Sequence, residues 1–169
     1  LVAPVIIVGG VRGGVFTTTE AAAVLCAYAL FLAVVGIYGA LSTLVTRRLR
    51  ELGIRLIINM RLTRGPYPDP HATPIQLLWL RTIDSPFFPI PVAKLVLGAQ
   101  AALDTIQLGG KVYVHCAYGR HRGPAMGSCV LIAQGYEPEA AMQLVMERRS
   151  VANPSASYIR PRIMQFASL

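Results

Sequence analysis

The residues best suited to chemistry lie together in VYVHCAYGRHRGPAM, residues 112–126, where a thiol, two imidazoles and two guanidinium groups fall within eight positions. Cys116 and Arg122 stand six positions apart, with no acidic residue between them. Gly119 permits a tight turn, and Pro124 suits the first turn of a helix. A loop of this kind at a helix N-terminus turns successive backbone N–H groups inward and binds an anion. The same positive field favours a thiolate over a thiol, which makes Cys116 a candidate nucleophile near neutral pH. Arg122 can grip two oxygens of a phosphoryl group with one planar guanidinium and stabilise the charge that spreads over them. The spacing itself is unspecific, so the case rests on the strand before it and the helix after it.

Those residues need a frame, and the surrounding pattern supplies one. Gly53 ends a helix, and a buried strand follows at Leu56 to Asn59. Pro66, Pro68, Pro70 and Pro74 forbid regular structure until a second strand at Ile75 to Leu80. Val92 to Gln107 suits a helix ended by Gly109 and Gly110, and Lys111 to His115 reads as a short strand that delivers Cys116. Helices are expected at Ala125 to Gln134 and from Pro138 to about Arg149. Strands alternating with helices predict an α/β domain, a mostly parallel sheet flanked by helices. Cys26 and Cys129 read as packing residues, and Trp79 as core.

The 169 residues allow one domain and an appendage, but not two full cores. With 54% hydrophobic and 14% charged residues and a mean hydropathy of +0.51, the chain is too apolar to be disordered. Much of that apolarity is local. Ala21 to Thr46 are 26 consecutive residues without a charge, and Thr17 with Glu20 has the spacing of a capping box. The reading is an apolar, Gly-rich segment over 1–18, a hydrophobic membrane-spanning helix over 19–46, and a catalytic domain over 47–169. Arg47, Arg48, Arg50 and Arg55 follow the span while only Arg12 precedes it, which puts the domain in the cytoplasm. The alternative is a soluble cytoplasmic protein in which Val34 to Leu41 forms an opening strand of the sheet. A net charge of +8 implies an anionic partner. Three cysteines exclude a disulfide framework and a four-cysteine zinc site.

From about Leu49 to Phe166 the chain resembles the cysteine-dependent phosphatases with a His-Cys-x5-Arg loop, and the dual-specificity family in particular. The residues that carry the likeness are LGIRLIIN, the strand-Cys-loop-helix unit, the helix ending in ERR and the Asn153-Pro154 turn behind it. The resemblance implies a dual-specificity-phosphatase-like fold that works without metal or cofactor. It implies that Cys116 forms a phosphocysteine, that Arg122 binds the phosphate, and that Ala117, Tyr118, Gly119, Arg120 and His121 form the amide loop. His115 then supports the loop. Gly123 also borders the phosphate, where the family commonly has a Ser or Thr whose hydroxyl helps expel the thiolate, so slow breakdown of the intermediate is expected.

The family also uses an Asp as general acid and base, from a loop ahead of the cysteine strand. Asp84 directly follows LLWLRTI and fits that place, whereas Asp104 falls inside a helix; Asp69 in PYPDPH is the alternative. Arg120 and His121 add positive charge to the loop, so the expected substrates are phosphoprotein or anionic phospholipid, with membrane contact through 19–46 and no nucleic acid. Gly123 leaves open a second reading, a phosphate-binding module with little turnover. A separate stretch, Pro4 to Leu30, resembles the large permease subunit of tripartite ATP-independent periplasmic transporters and implies membrane ancestry for that segment; a transporter fragment is the third reading.

Overall fold

The computed structural model describes residues 12–14, 17–63 and 74–169, and the chain divides after Arg47 into two compact units. Asp69, the prolines Pro66, Pro68 and Pro70, and the opening of the stretch from Pro4 to Leu30 lie outside the described residues.

The first unit is built on α1, Thr18–Glu51, a helix of 34 residues and roughly 50 Å at 1.5 Å per residue. Its N-terminus carries the expected capping box. Thr17 N–H donates to Glu20 Oε2 at 2.8 Å, and Glu20 N–H donates to Thr17 Oγ1 at 3.3 Å. Every large apolar side chain from Val24 to Val45 is exposed, Leu30 at 67% and Phe31 at 62%. By length and composition the helix can cross a bilayer. Residues 34–41 are helical, which overturns the alternative of an opening strand there. Gly53 stops the helix with a φ of 80°, a left-handed conformation that only glycine adopts without strain.

The second unit holds three parallel strands in the order β2-β1-β3, namely β1 at Ile54–Asn59, β2 at Gln76–Trp79 and β3 at Lys111–His115. Between β2 and β3 runs α2 (Val92–Gln107); α3 (Arg122–Ala133), α4 (Pro138–Arg148) and α5 (Arg160–Ala167) follow. Leu56 and Ile58 of β1 point into the core with Leu95, Ala102, Met126, Cys129 and Ile163 from three of the helices. Burial pushes the Cys129 thiol up to about 12, so it packs as a small apolar group. Trp79, expected in the core, is only half-buried. Its Nε1–H donates to the Arg61 carbonyl at 2.7 Å, and the Arg81 guanidinium lies 3.9 Å over its ring.

All three strands point the same way, so their carboxyl ends meet at one rim. Met60 N–H donates to His115 O at 2.9 Å and Leu80 N–H to Asn59 O at 2.9 Å. In open parallel sheets this rim is where ligands bind. The helix behind it must approach closely: a Cβ at Gly98 would stand 2.7 Å from Met126 Sδ and 3.0 Å from Leu80 Cδ1. Gly98→Val is therefore expected to destabilise the domain by roughly 1–3 kcal/mol through overpacking. A thermal melt by circular dichroism checks this, and an unchanged midpoint would mean that the crossing relaxes.

Candidate active site

Cys116 is the first residue after β3, and α3 begins at Arg122, so residues 117–121 form a short loop between a strand end and a helix N-terminus. Gly119 turns the loop with a φ of 66°. No backbone N–H of Ala117 to His121 donates to another described carbonyl, so these amides are not committed to the fold. The back of the loop is fixed: Asn153 N–H donates to the Arg120 carbonyl at 2.6 Å, which places the Asn153-Pro154 turn behind it.

Arg122 is buried, and its Nη1 donates to the carbonyls of Met60 at 3.0 Å and Thr82 at 2.6 Å. The Thr82 hydroxyl donates to the same Met60 carbonyl at 2.9 Å. One nitrogen of the guanidinium is thus anchored to the ends of two strands. Its Nε is buried without a hydrogen-bond partner, and Asp84 Oδ2 stands 3.4 Å away, an ion-pair distance without hydrogen-bond geometry. The Nε–Nη2 edge, which presents two parallel donors, makes no hydrogen bond among the described residues.

Asp84 comes from the loop after β2, as the sequence reading expected of the acid. Its Oδ1 accepts from the Tyr158 hydroxyl at 2.9 Å and lies 3.2 Å from His121 Nδ1, while Tyr158 Oη and His121 Nδ1 are 2.9 Å apart. Partial burial, then the hydrogen bond to Asp84 and its negative charge, push the Tyr158 hydroxyl up to about 12, so it remains a donor. Asp104 lies exposed on α2 and accepts from Gln100 instead.

Two cavities open at this rim. One of about 570 Å³ is lined by Cys116, His115, Gly119, Gly123, Arg61 and Arg149, among others; the other, of about 440 Å³, by Asp84, Arg122, Thr82 and Arg61. They share Arg61, Ala117 and Tyr118. No carboxylate lines the larger one. Tyr118 and Arg120 are exposed, and His115 stacks on Tyr113 with ring centroids 5.5 Å apart. Gly123 is buried against the cysteine, where a Cβ would meet Cys116 N at 3.5 Å and Sγ at 3.6 Å.

Three residues of this rim were not legible from spacing. Arg61 follows the end of β1 by two positions, and its place at the carboxyl end of a parallel strand was the available signal. Arg149, just past the end of α4, folds back so that its Nε donates to the Gly119 carbonyl at 3.3 Å. Tyr158 lies in a turn with no motif to announce it.

The comparisons agree with this frame. No family model matches the chain. Phosphatidylglycerophosphatase and protein-tyrosine phosphatase 1 of Rattus norvegicus is 38% identical over 77 residues, which are 45% of this chain and 39% of that protein. The chain thus spans about two fifths of the length of that curated relative. Among solved structures, human DUSP28 superposes with a TM-score of 0.64 at 23% identity, over 75% of this chain and 82% of that one. PTPMT1 in complex with PI(5)P gives 0.58 at 27% identity, over 73% and 85%. The fold is that of a dual-specificity phosphatase. In a sheet of this kind a strand, a tight loop and a helix carry Cys116 and Arg122 to one end, and the β2 loop brings Asp84 beside Arg122.

His115 offers a direct check of these electrostatics. Burial foremost, and the Arg61 charge second, lower its pKa against a smaller opposing effect of the Cys116 backbone hydrogen bond. The imidazole is therefore expected to titrate below about 6.5 and to be neutral at pH 7. Arg61→Gln should move its NMR titration midpoint upward; an unmoved midpoint would separate Arg61 from His115.

Proposed function

We propose that the chain hydrolyses phosphoric monoesters through a phosphocysteine, with Cys116 as nucleophile, Arg122 as phosphate ligand and Asp84 as general acid and base. The observation that carries this reading is the half-anchored guanidinium of Arg122. Two carbonyls hold Nη1, and the Nε–Nη2 edge remains beside a carboxylate from another loop. A phosphoryl group held there and on the amides of Ala117 to His121 has its charge met by preorganised donors. As the Sγ–P bond forms and the P–O bond to the leaving group breaks, Asp84 gives its proton to the departing oxygen. Water then attacks phosphorus and passes a proton to Asp84, the S–P bond breaks, and the sulfur leaves as thiolate with release of inorganic phosphate. No step calls for a metal or cofactor.

The substrates of this reading are phosphoprotein or anionic phospholipid. Arg61 and Arg149 line the cavity that contains Cys116, which favours substrates with more negative charge than one phosphate. The relatives point the same way: one is a phosphatidylglycerophosphatase and protein-tyrosine phosphatase, and another is bound to PI(5)P. For α1 we take the exposed apolar surface as a membrane span over 19–46, with the arginine-rich end and the catalytic domain on the cytoplasmic side.

A second reading, a phosphate-binding module with little turnover, is favoured by Gly123, which has no hydroxyl to assist the departing sulfur. Cys116→Ser is expected to abolish hydrolysis, with a loss of roughly three orders of magnitude or more. In the unaltered chain a chromogenic phosphomonoester should give a burst of alcohol product followed by slower steady turnover. A burst equal to one enzyme equivalent with no later release would favour the binding module. Since a Cβ at 123 meets only ordinary contacts, Gly123→Ser should fold and raise kcat several-fold while leaving kcat/KM unchanged. An unchanged kcat would show that thiolate expulsion is not the slow step.

A further inference from the structure

Asp84 stands in an irregular stretch between β2 and α2, and the only pairing in that stretch is a single bridge between Ser85 and Phe88. Its own segment does not fix its carboxylate. A general acid must be held to well under an ångström, because proton transfer falls away steeply with misplacement. The groups that fix it come from two other parts of the chain: the Tyr158 hydroxyl, in the turn before α5, and His121, the last residue of the anion loop.

The proton inventory of this cluster is restrictive. A phenolic hydroxyl has one hydrogen, and Asp84 Oδ1 is an acceptor when ionised. With that hydrogen directed to Oδ1, the Tyr158 oxygen is left to accept from His121 Nδ1–H, whose distance of 2.9 Å suits such a bond. Tyr158 is half-buried and its ring meets the His121 ring edge-on at 66°, so the hydroxyl has little freedom to swing away. Both contacts fall on Oδ1. Oδ2 is left facing Arg122 Nε, on the side where the phosphoryl group is bound in the reading above.

We propose that Tyr158 is a positioning residue for Asp84, its hydroxyl anchoring Oδ1, in concert with His121, so that Oδ2 is presented to the leaving oxygen. This rests on the phosphocysteine reading and deepens it. The anchor links three segments, the β2 loop, the anion loop and the turn before α5, through one carboxylate oxygen. It does not touch the substrate. Its loss should therefore weaken proton delivery while leaving the nucleophile and the anion loop in place.

Leaving-group dependence separates this role from a structural one. Phenol, with a pKa of about 10 like the tyrosine side chain, leaves poorly unless protonated, whereas p-nitrophenol is far more acidic and needs little help. The comparison uses kcat/KM, which ends at formation of the phosphocysteine and is unaffected by slow breakdown at Gly123. In the full chain, Tyr158→Phe is expected to lower kcat/KM for phenyl phosphate by roughly 10-fold or more, a part of the ~10²–10⁴ that a general acid supplies, and to leave p-nitrophenyl phosphate within about 3-fold. Added to Asp84→Asn, it should cause no further loss, because the group it positions is gone. Equal losses on both esters, or a further loss in the double variant, would overturn the proposal and leave the phosphocysteine reading standing. If Asp84→Asn itself shows no preference between the esters, the acid assignment and this proposal fall together. If Cys116→Ser retains activity, the phosphocysteine reading and this proposal fail.

Discussion

A guanidinium buried in a small domain must be compensated, and the way Arg122 is compensated organises the rest of the site. Burying a charge without partners would cost several kcal/mol, more than a domain of this size can lose. The carbonyls of Met60 and Thr82 take Nη1, and both lie just past strand ends, so the charge is neutralised by the sheet's own rim. That requirement fixes the start of α3 against β1 and the β2 loop. It also dictates where Asp84 stands, because a carboxylate is the natural companion of a buried cation with one edge unpartnered. The loop from Cys116 to Arg122, the loop after β2 and two strand ends are therefore held in register by one side chain.

Parallel strands make this possible. β1 sits between β2 and β3, and its run of Ile and Leu is buried as a central strand requires. With all three carboxyl ends on the same rim, whatever leaves the strands there is brought together: Arg61 after β1, Asp84 after β2 and Cys116 after β3. The helices supply packing behind, and Gly98 permits α2 to lie close to α3. The convergence of these side chains at the rim is thus a consequence of topology.

The same logic explains what could be read from the chain. The bounds of α2 and β3 were legible, since Gly109 and Gly110 punctuate one and the valines of VYV mark the other. The start of α3 was placed three residues late. Arg122, Gly123 and Pro124 look like loop by composition, but proline is tolerated in a first turn and the burial of Arg122 draws the helix forward. α5 was not foreseen, because RPRIMQFA has a short and weak apolar pattern. Within the site, the thiol and the guanidinium followed from strand-loop-helix order, and the choice of Asp84 over Asp104 from the family resemblance. Tyr158 did not, because it reaches Asp84 across 74 positions of sequence, and only packing brings those positions together.

Asp84 has one further property that follows from its neighbours. Without ligand its Oδ2 stands beside Arg122 Nε, on the edge that a phosphoryl group would take in the proposed reaction. An incoming dianion and an ionised carboxylate would then share one cation, and like charges at such range oppose each other. In the proposed reaction the phosphoryl oxygens and the carboxylate therefore compete for the same guanidinium, and the half-anchored arginine couples the place of the anion to that of Asp84.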